Sequence, residues 1–169
     1  MRIWITTDTH LSHARMIEFG RPEDYEEKIF KSFAPIKEDD VLLHLGDVCI
    51  GQDDFNHKRL LDAIPGKKWL VRGNHDRKSN SWYMDRGWDF VGEKILFRHM
   101  GKNILFSHVP SPVTGDIDLN IHGHLHDNDH RKSMFSNILT DKNILIALEF
   151  TNYQLTLLDT LLNENILRH

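Results

Sequence analysis

Several apolar runs in this chain end in side chains that can bind a metal ion, and this pattern constrains the fold more than any other feature. The first run, residues 1–7, is rich in β-branched and aromatic residues and predicts a strand that stops before Asp8 and His10. Open α/β sheets bind ligands at the carboxyl ends of their strands. A carboxylate and an imidazole at this position therefore indicate a binding site, although Asp8 taken alone also fits a helix N-cap.

Two further runs repeat this design in the first half of the chain. Residues 41–45 are almost continuously apolar, as is typical of a strand buried in a parallel sheet, and they lead to Asp47. Residues 67–71 predict a third strand, which leads to Asn74 and His75. The helices expected between and before these strands cover residues 14–19, 23–34 and 55–64. The alternation of strands and helices predicts parallel βαβ units.

The second half of the sequence predicts mainly strands and turns. Two apolar runs flank the turn 100–102 and predict a hairpin, whose second strand ends at His108. Another strand, residues 117–121, leads to His124 and His126. The strands expected for this hairpin and for a closing hairpin are residues 94–98 with 103–107 and residues 143–150 with 153–158.

These strand ends together offer carboxylates, imidazoles and one amide oxygen. The residues are Asp8, His10, Asp47, Asn74, His75, His108, His124 and His126. Such a mixed nitrogen and oxygen set suits Mn, Fe, Zn or Ni better than Ca or Mg. There are too many ligands for one tetrahedral ion, and their number fits two ions about 3.5–4 Å apart that share one carboxylate. Asp47, which stands alone after its strand, is the predicted bridge.

Composition narrows the class of protein. A chain of 169 residues predicts one domain, residues 1–169, with a sizeable core. The formal charge of −4 argues against a generic nucleic-acid binder. Cys49 is the only cysteine, which excludes an intrachain disulfide and favours a reducing compartment, here the cytoplasm. Because neither a signal-peptide pattern nor a membrane-spanning apolar run is present, no membrane partner is expected.

The order of these motifs resembles that of the calcineurin-like metallophosphoesterases. The matching motifs are Asp8-x-His10, Gly46-Asp47, Gly73-Asn74-His75-Asp76, His108 and Gly123-His124-x-His126. They extend over most of the chain, and residues 8–13 are similar to the corresponding segment of small stand-alone prokaryotic and phage members. The resemblance implies an α/β fold with four layers, α/β/β/α, in which two mixed β-sheets are flanked by helices.

The resemblance also implies a role for each matched residue. One metal ion would be held by Asp8, His10, Asp47 and His126, and the other by Asp47, Asn74, His108 and His124. His75 would bind no metal but would lie beside the scissile phosphate as general acid or transition-state stabiliser. The implied reaction is phosphoester hydrolysis by a hydroxide that bridges two divalent transition-metal ions, with Mn preferred over Fe, Zn or Ni.

A departure from the phosphoprotein phosphatases bears on the substrate. Those relatives carry Gly-Asp-x-x-Asp-Arg-Gly, whereas residues 46–51 of this chain lack the second Asp and the Arg. With two ions, two carboxylates and a hydroxide, the site would carry about +1, which matches a phosphodiester better than a phosphomonoester. A small phosphodiester is therefore the predicted substrate. The alternatives are phosphomonoester hydrolysis, a nuclease acting on short nucleic acid, and a non-catalytic scaffold of the same fold.

Other polar residues carry less specific expectations. His44 and His122 are expected to support the site from within, and His13 either to line the pocket or to cap the next segment. The group that would orient His75 is left open among Asp53, Asp54 and Asp76. Residues expected at the surface are His57, His99, His130 and His169. Arg21 is also expected in solvent, with contact to a substrate phosphate as the alternative.

Overall fold

A computed structural model describes residues 1–166 of the protein and contains two β-sheets with helices packed around them. In chain order the elements are β1 (Ile3–Thr6), α1 (Arg15–Glu18), α2 (Tyr25–Ser32), β2 (Val41–His44), α3 (Asp53–Asp62), β3 (Lys67–Val71), α4 (Asn80–Met84), β4 (Phe90–Gly92), β5 (Lys94–His99), β6 (Lys102–Ser107), β7 (Leu119–His122), α5 (Asp129–Met134), β8 (Asn143–Leu145), β9 (Thr156–Leu157) and α6 (Leu158–Ile166). None of these helices is long and apolar enough to cross a bilayer.

The first sheet has the strand order β4-β3-β2-β1-β9. Strands β1 to β4 run parallel to their neighbours, and β9 is antiparallel to β1. Every residue of the central strand β2 is buried, which explains why its sequence is almost continuously apolar. The parallel strands and the helices between them confirm the βαβ units predicted from the first half of the sequence.

The second sheet has the order β5-β6-β7-β8. Strands β5 and β6 form the predicted antiparallel hairpin, and β7 and β8 add to it in parallel. The predicted closing hairpin is wrong, because β8 belongs to the second sheet and β9 to the first. The chain turns between them, where Phe150 N–H donates to Ala147 O and Tyr153 N–H donates to Leu148 O. The runs 143–150 and 153–158 predicted two strands here but carried no information about their partners.

Two apolar layers hold the sheets in place. On the outer face of the first sheet, side chains such as Leu42 and Leu70 pack with Ile29 of α2 and Leu60 of α3. On its inner face, Leu43 and its neighbours pack against residues of the second sheet, including Phe106 and Ile121. Successive residues of a strand point to opposite faces, so neighbours in β2 enter different layers. The predicted fold, two mixed sheets flanked by helices, is confirmed, whereas the expectation of a single domain stays a prediction.

Candidate metal centre

Backbone hydrogen bonds join the loops that follow the strands. Asp8 N–H donates to Gly46 O at 2.9 Å, and His10 N–H donates to Asp47 O at 3.1 Å, so the loops after β1 and β2 lie side by side. Gly123 N–H donates to His108 O at 3.0 Å, which links the loops after β7 and β6 in the same way. The fold therefore brings together strand ends that are far apart in sequence.

Five of the predicted ligands have a left-handed backbone. Their φ angles are 49° at Asp8, 46° at His10, 56° at Asp47, 69° at His124 and 50° at His126. For a residue with a Cβ this conformation costs roughly 1 kcal/mol. Such strain persists only where the surrounding structure enforces it, and it is typical of functional sites.

The first ligand group consists of Asp8, His10 and His126. The Nε2 atoms of the two histidines lie 3.3 Å apart, and Asp8 Oδ1 lies 3.5 Å from His126 Nε2. Asp8 Oδ2 accepts hydrogen bonds from Thr7 Oγ1 at 2.6 Å and His124 N–H at 2.9 Å. In contrast, the buried Oδ1 has no hydrogen-bond partner. A partnerless carboxylate oxygen facing two imidazole nitrogens fits a divalent cation.

The second ligand group consists of Asp47, His108 and His124. His108 Nε2 lies 3.1 Å from His124 Nδ1 and 3.1 Å from Asn74 Oδ1. Asp47 Oδ2 lies 3.4 Å from His108 Nε2. The predicted amide ligand, Asn74, thus faces the same point as the three residues of the group.

Asp47 belongs to the second ligand group and also faces the first. Its Oδ2 is 3.8 Å from His10 Nε2 of the first group and 3.4 Å from His108 Nε2 of the second. Its Oδ1 accepts a hydrogen bond from His75 N–H at 2.9 Å, which fixes the orientation of the carboxylate. This arrangement supports Asp47 as a bridging ligand.

The electrostatics of the two groups match metal binding. Burial lowers the pKa of His10 to about 3 and that of His124 to about 4, so both imidazoles are neutral, as a ligand must be. Burial would raise the pKa of Asp47, but the interaction with His108 lowers it well below its usual value. Burial lowers the pKa of His108, yet Asp47 and Asp8 together raise it to about 9. A cation bound to His108 would therefore replace a proton.

His75 lies outside both ligand groups. Its side chain is 37% exposed, and its Nε2 is 3.9 Å from Asp47 Oδ2. Its ring meets the His10 ring edge-on, with centroids 5.6 Å apart. This placement agrees with the predicted non-ligand role beside the two groups.

A comparison with known protein families identifies the family of this chain. The model of the family described as calcineurin-like phosphoesterase matches residues 1–146, which is most of the sequence. The chain belongs to the calcineurin-like phosphoesterase family. The family match confirms the resemblance inferred from the five motifs, and the family acts on phosphoesters.

Three known proteins are similar to this phosphoesterase in sequence or in structure. The uncharacterized protein MJ1445 of Methanocaldococcus jannaschii is 29% identical over 168 residues, which cover 94% of this chain and 88% of that protein. The crystal structure of AQ665 from Aquifex aeolicus, a protein of unknown function, has 26% identity and a TM-score of 0.73, and covers 95% of this chain and 97% of its own. A novel archaeal phosphodiesterase, at 18% identity and a TM-score of 0.51, covers 75% of this chain and 74% of its own and shares the fold.

None of the three residues considered for orienting His75 forms a hydrogen bond or an ion pair with its ring in this phosphoesterase. Asp76 instead accepts hydrogen bonds from three backbone N–H groups, those of Asp47 at 2.7 Å, Gly73 at 2.8 Å and Val48 at 3.2 Å. The ion pairs of Asp53 and Asp54 are with Lys78 and Arg86. The expectation is therefore wrong for all three. The Asp76 side chain points into the protein and, through these hydrogen bonds, joins the loop after β2 to the loop after β3.

Two residues near His126 were not recognised from the sequence of this phosphoesterase. Arg21, expected in solvent, is only 3% exposed and forms an ion pair with Glu149 at 2.7 Å. Glu149 Oε1 also lies 3.2 Å from His126 Nδ1. The one available signal was an acidic residue that follows the apolar run 144–148 directly.

The histidines expected to support or line the site behave largely as predicted. His44 is fully buried, and its Nδ1 accepts Gly46 N–H at 3.1 Å while its Nε2 lies 3.0 Å from Thr9 Oγ1. His122 is also fully buried, and its Nδ1 lies 3.0 Å from Gly123 O. His13 lines the cleft, and the α1 N-cap position is Ala14 without a side-chain cap.

The histidines expected at the surface differ from one another. His57 is buried, and its Nδ1 accepts the Trp88 indole N–H at 3.0 Å, so this prediction is wrong. His99 is half-buried beside Asp159, and His130 is exposed as predicted. His169 lies outside the described residues.

A cleft of about 630 Å³ opens onto both ligand groups of this phosphoesterase. Its walls include His75, His13, Met16, Phe19, Asn128 and Arg131. Phe19 is 64% exposed and contributes an apolar surface, while Arg131 is held by a hydrogen bond from its Nη1 to His124 O at 2.9 Å. A volume of this size suits a small ligand.

Gly73 provides a direct test of the close packing around Asp47. A Cβ at this position would collide with Asp47 Oδ1 and lie 2.5 Å from the Asp47 nitrogen. We expect Gly73→Ala to displace the Asp47 carboxylate and to weaken Mn²⁺ binding by more than about 10-fold, as measured by calorimetric titration.

Gly92→Ala is the matched control for Gly73→Ala. A Cβ at Gly92 would lie 3.2 Å from the side chain of Phe90, which is 43% exposed and able to move, and 3.4 Å from Lys94 O, an ordinary van der Waals contact. The control should bind Mn²⁺ as the wild type does. Wild-type affinity in Gly73→Ala would show that the position of Asp47 does not matter for metal binding.

Proposed function

We propose that this phosphoesterase hydrolyses a small phosphodiester and uses two divalent metal ions, with Mn²⁺ preferred. The observation that carries the proposal is the position of Asp47 Oδ2 between two ligand groups, 3.8 Å from His10 Nε2 and 3.4 Å from His108 Nε2. When bound, the ions would supply a water of lowered pKa and positive charge for the phosphate. The residues that would hold them are Asp8, His10, Asp47 and His126 for one ion and Asp47, Asn74, His108 and His124 for the other.

His75 is the residue we propose for proton transfer. It lines the cleft, is partly exposed, and has its Nε2 3.9 Å from Asp47 Oδ2, close to the position where a phosphate would meet both ligand groups. Because it belongs to neither group, its imidazole is free to donate a proton to the leaving alkoxide. Without that proton the leaving group would depart as a strong base.

Charge supports a diester as the substrate. Two divalent ions, the carboxylates of Asp8 and Asp47 and one hydroxide would together carry about +1, which matches a monoanion. Arg21 adds no net charge, because Glu149 pairs with it at 2.7 Å. A phosphomonoester dianion would therefore be balanced less completely than a diester.

The choice between diester and monoester can be tested with two chromogenic substrates. We expect kcat/KM for bis-p-nitrophenyl phosphate to exceed that for p-nitrophenyl phosphate by at least about 10-fold with Mn²⁺ present, since a charge mismatch of roughly 1.4 kcal/mol suffices for this ratio. The leaving group is the same in both, so the comparison does not depend on the basicity of the leaving group. A higher kcat/KM for the monoester would contradict the proposed substrate, and faster cleavage of short oligonucleotides would favour the nuclease alternative.

A further inference from the structure

We propose that Glu149 is a positioning residue for the metal ligand His126, and that Arg21 in turn fixes Glu149 to the loop that carries Asp8. The proposal makes the first ligand group, and not the second, dependent on this buried ion pair. It rests on the metal centre of the proposed function but not on the identity of the substrate.

The contact between Glu149 and His126 determines which imidazole nitrogen can bind a metal. Glu149 Oε1 lies 3.2 Å from His126 Nδ1, and Arg21 Nη2 lies 3.4 Å from the same nitrogen. Both protons of Arg21 Nη2 are donated elsewhere, to Glu149 Oε1 and Asp8 O. Because a carboxylate can only accept a hydrogen bond, the imidazole proton lies on Nδ1. The lone pair then lies on Nε2, which is 3.3 Å from His10 Nε2 and 3.5 Å from Asp8 Oδ1. Carboxylates that orient ligand histidines in this way also make the ligand nitrogen more basic.

Arg21 connects Glu149 to the opposite side of the same ligand group. Its Nε and Nη2 donate to Glu149 Oε1 at 2.9 and 2.7 Å. Its Nη2 also donates to Asp8 O at 2.9 Å, and its Nη1 donates to Thr9 O at 3.2 Å. One buried guanidinium therefore holds the backbone beside Asp8 and the carboxylate beside His126 at a fixed separation. Planar, multidentate donors suit Arg for this function better than Lys.

The second ligand group is held differently. His108 Nδ1 donates to the backbone carbonyl of Leu45 at 2.7 Å, a contact that belongs to the fold and not to a side-chain carboxylate. His124 contributes Nδ1 itself toward the group, 3.1 Å from His108 Nε2. Removal of the Glu149 carboxylate should therefore change the first ligand group and leave the second unchanged.

The test is a double-mutant analysis of Mn²⁺ affinity by calorimetric titration. His124→Ala removes a ligand of the second group, and in this background Glu149→Ala should weaken the remaining Mn²⁺ binding by about 10- to 100-fold. His126→Ala removes the imidazole through which Glu149 acts, and in that background Glu149→Ala should have no further effect. A purely structural role for Glu149 would reduce affinity in both backgrounds.

Two further variants keep the test decisive. Glu149→Gln keeps an oxygen acceptor for His126 and should give an intermediate loss of Mn²⁺ affinity. This variant is needed if Glu149→Ala, which leaves Arg21 without its carboxylate, fails to fold. Glu26→Gln is the control, because Glu26 also pairs with an arginine, Arg59 at 2.6 Å, has a side chain 23% exposed against 20% for Glu149, and contacts no ligand imidazole. It should bind Mn²⁺ as the wild type does.

The outcomes separate this inference from the function on which it rests. Equal losses for the Glu149 variants in both backgrounds, or a loss in neither, would overturn the inference while wild-type Mn²⁺ binding and hydrolysis remain. Failure of the wild-type protein to bind Mn²⁺ would overturn the metal centre itself and the inference with it.

Discussion

Asp47→Asn should abolish phosphoester hydrolysis and weaken the binding of both metal ions. Asp47 Oδ2 faces both ligand groups, and the substitution removes its negative charge while it keeps the size of the side chain. Each affinity for Mn²⁺ should fall by more than the roughly 10- to 100-fold typical of residues that only support a ligand. Elemental analysis and calorimetric titration measure the binding, and kcat/KM on bis-p-nitrophenyl phosphate measures the activity.

The control for Asp47→Asn is the same change at Asp62. Asp62 is an exposed residue of α3 whose contact is with Lys58 one turn away, and its amide variant should bind metal and hydrolyse substrate normally. Loss of one ion alone in Asp47→Asn, with the other bound at wild-type affinity, would contradict the bridging position of this carboxylate.

His75→Ala should separate chemistry from metal binding. Because His75 belongs to neither ligand group, both ions should bind at wild-type affinity. The loss should appear in kcat, by about 10²- to 10⁴-fold, which is the contribution typical of a general acid. This loss should be large for a dialkyl phosphodiester, whose alkoxide leaving group requires a proton, and much smaller for bis-p-nitrophenyl phosphate, whose leaving group does not.

His99→Ala is the histidine control for this experiment. The His99 side chain is 27% exposed and pairs with Asp159, and His99 contacts neither ligand group. It should leave kcat unchanged for both substrates. A His75→Ala protein that loses a metal ion, or one that is slowed equally on the two substrates, would show that His75 is not the proton donor.

The ligand residues could be predicted because each one follows a strand. Parallel strands end at the same edge of a sheet, so Asp8 and Asp47, which are far apart in sequence, were expected to meet. The structure brings them together through the hydrogen bond from Asp8 N–H to Gly46 O. Local patterns were sufficient here because the direction of a strand determines at which edge of the sheet the residues after it lie.

The surroundings of the ligands could not be predicted in the same way. Arg21 and Glu149 are 128 positions apart, and neither belongs to a repeated local pattern that would indicate burial. His57 was misjudged for a similar reason, because the Trp88 indole that bonds it comes from another part of the chain. The partners of β8 and β9 also depend on tertiary packing, since an apolar run predicts a strand but not the strands beside it.

Mn²⁺ titration of the metal-free protein, with hydrolysis of bis-p-nitrophenyl phosphate measured at each step, tests the central claim most directly. Because Asp47 of the second ligand group also has its Oδ2 3.8 Å from His10 Nε2 of the first, we expect each chain to bind two Mn²⁺ ions. Activity should be absent in the metal-free protein and should rise to its full value only as the second ion binds. Full activity with one bound ion, or undiminished activity in the metal-free protein, would contradict a centre of two metals in this phosphoesterase.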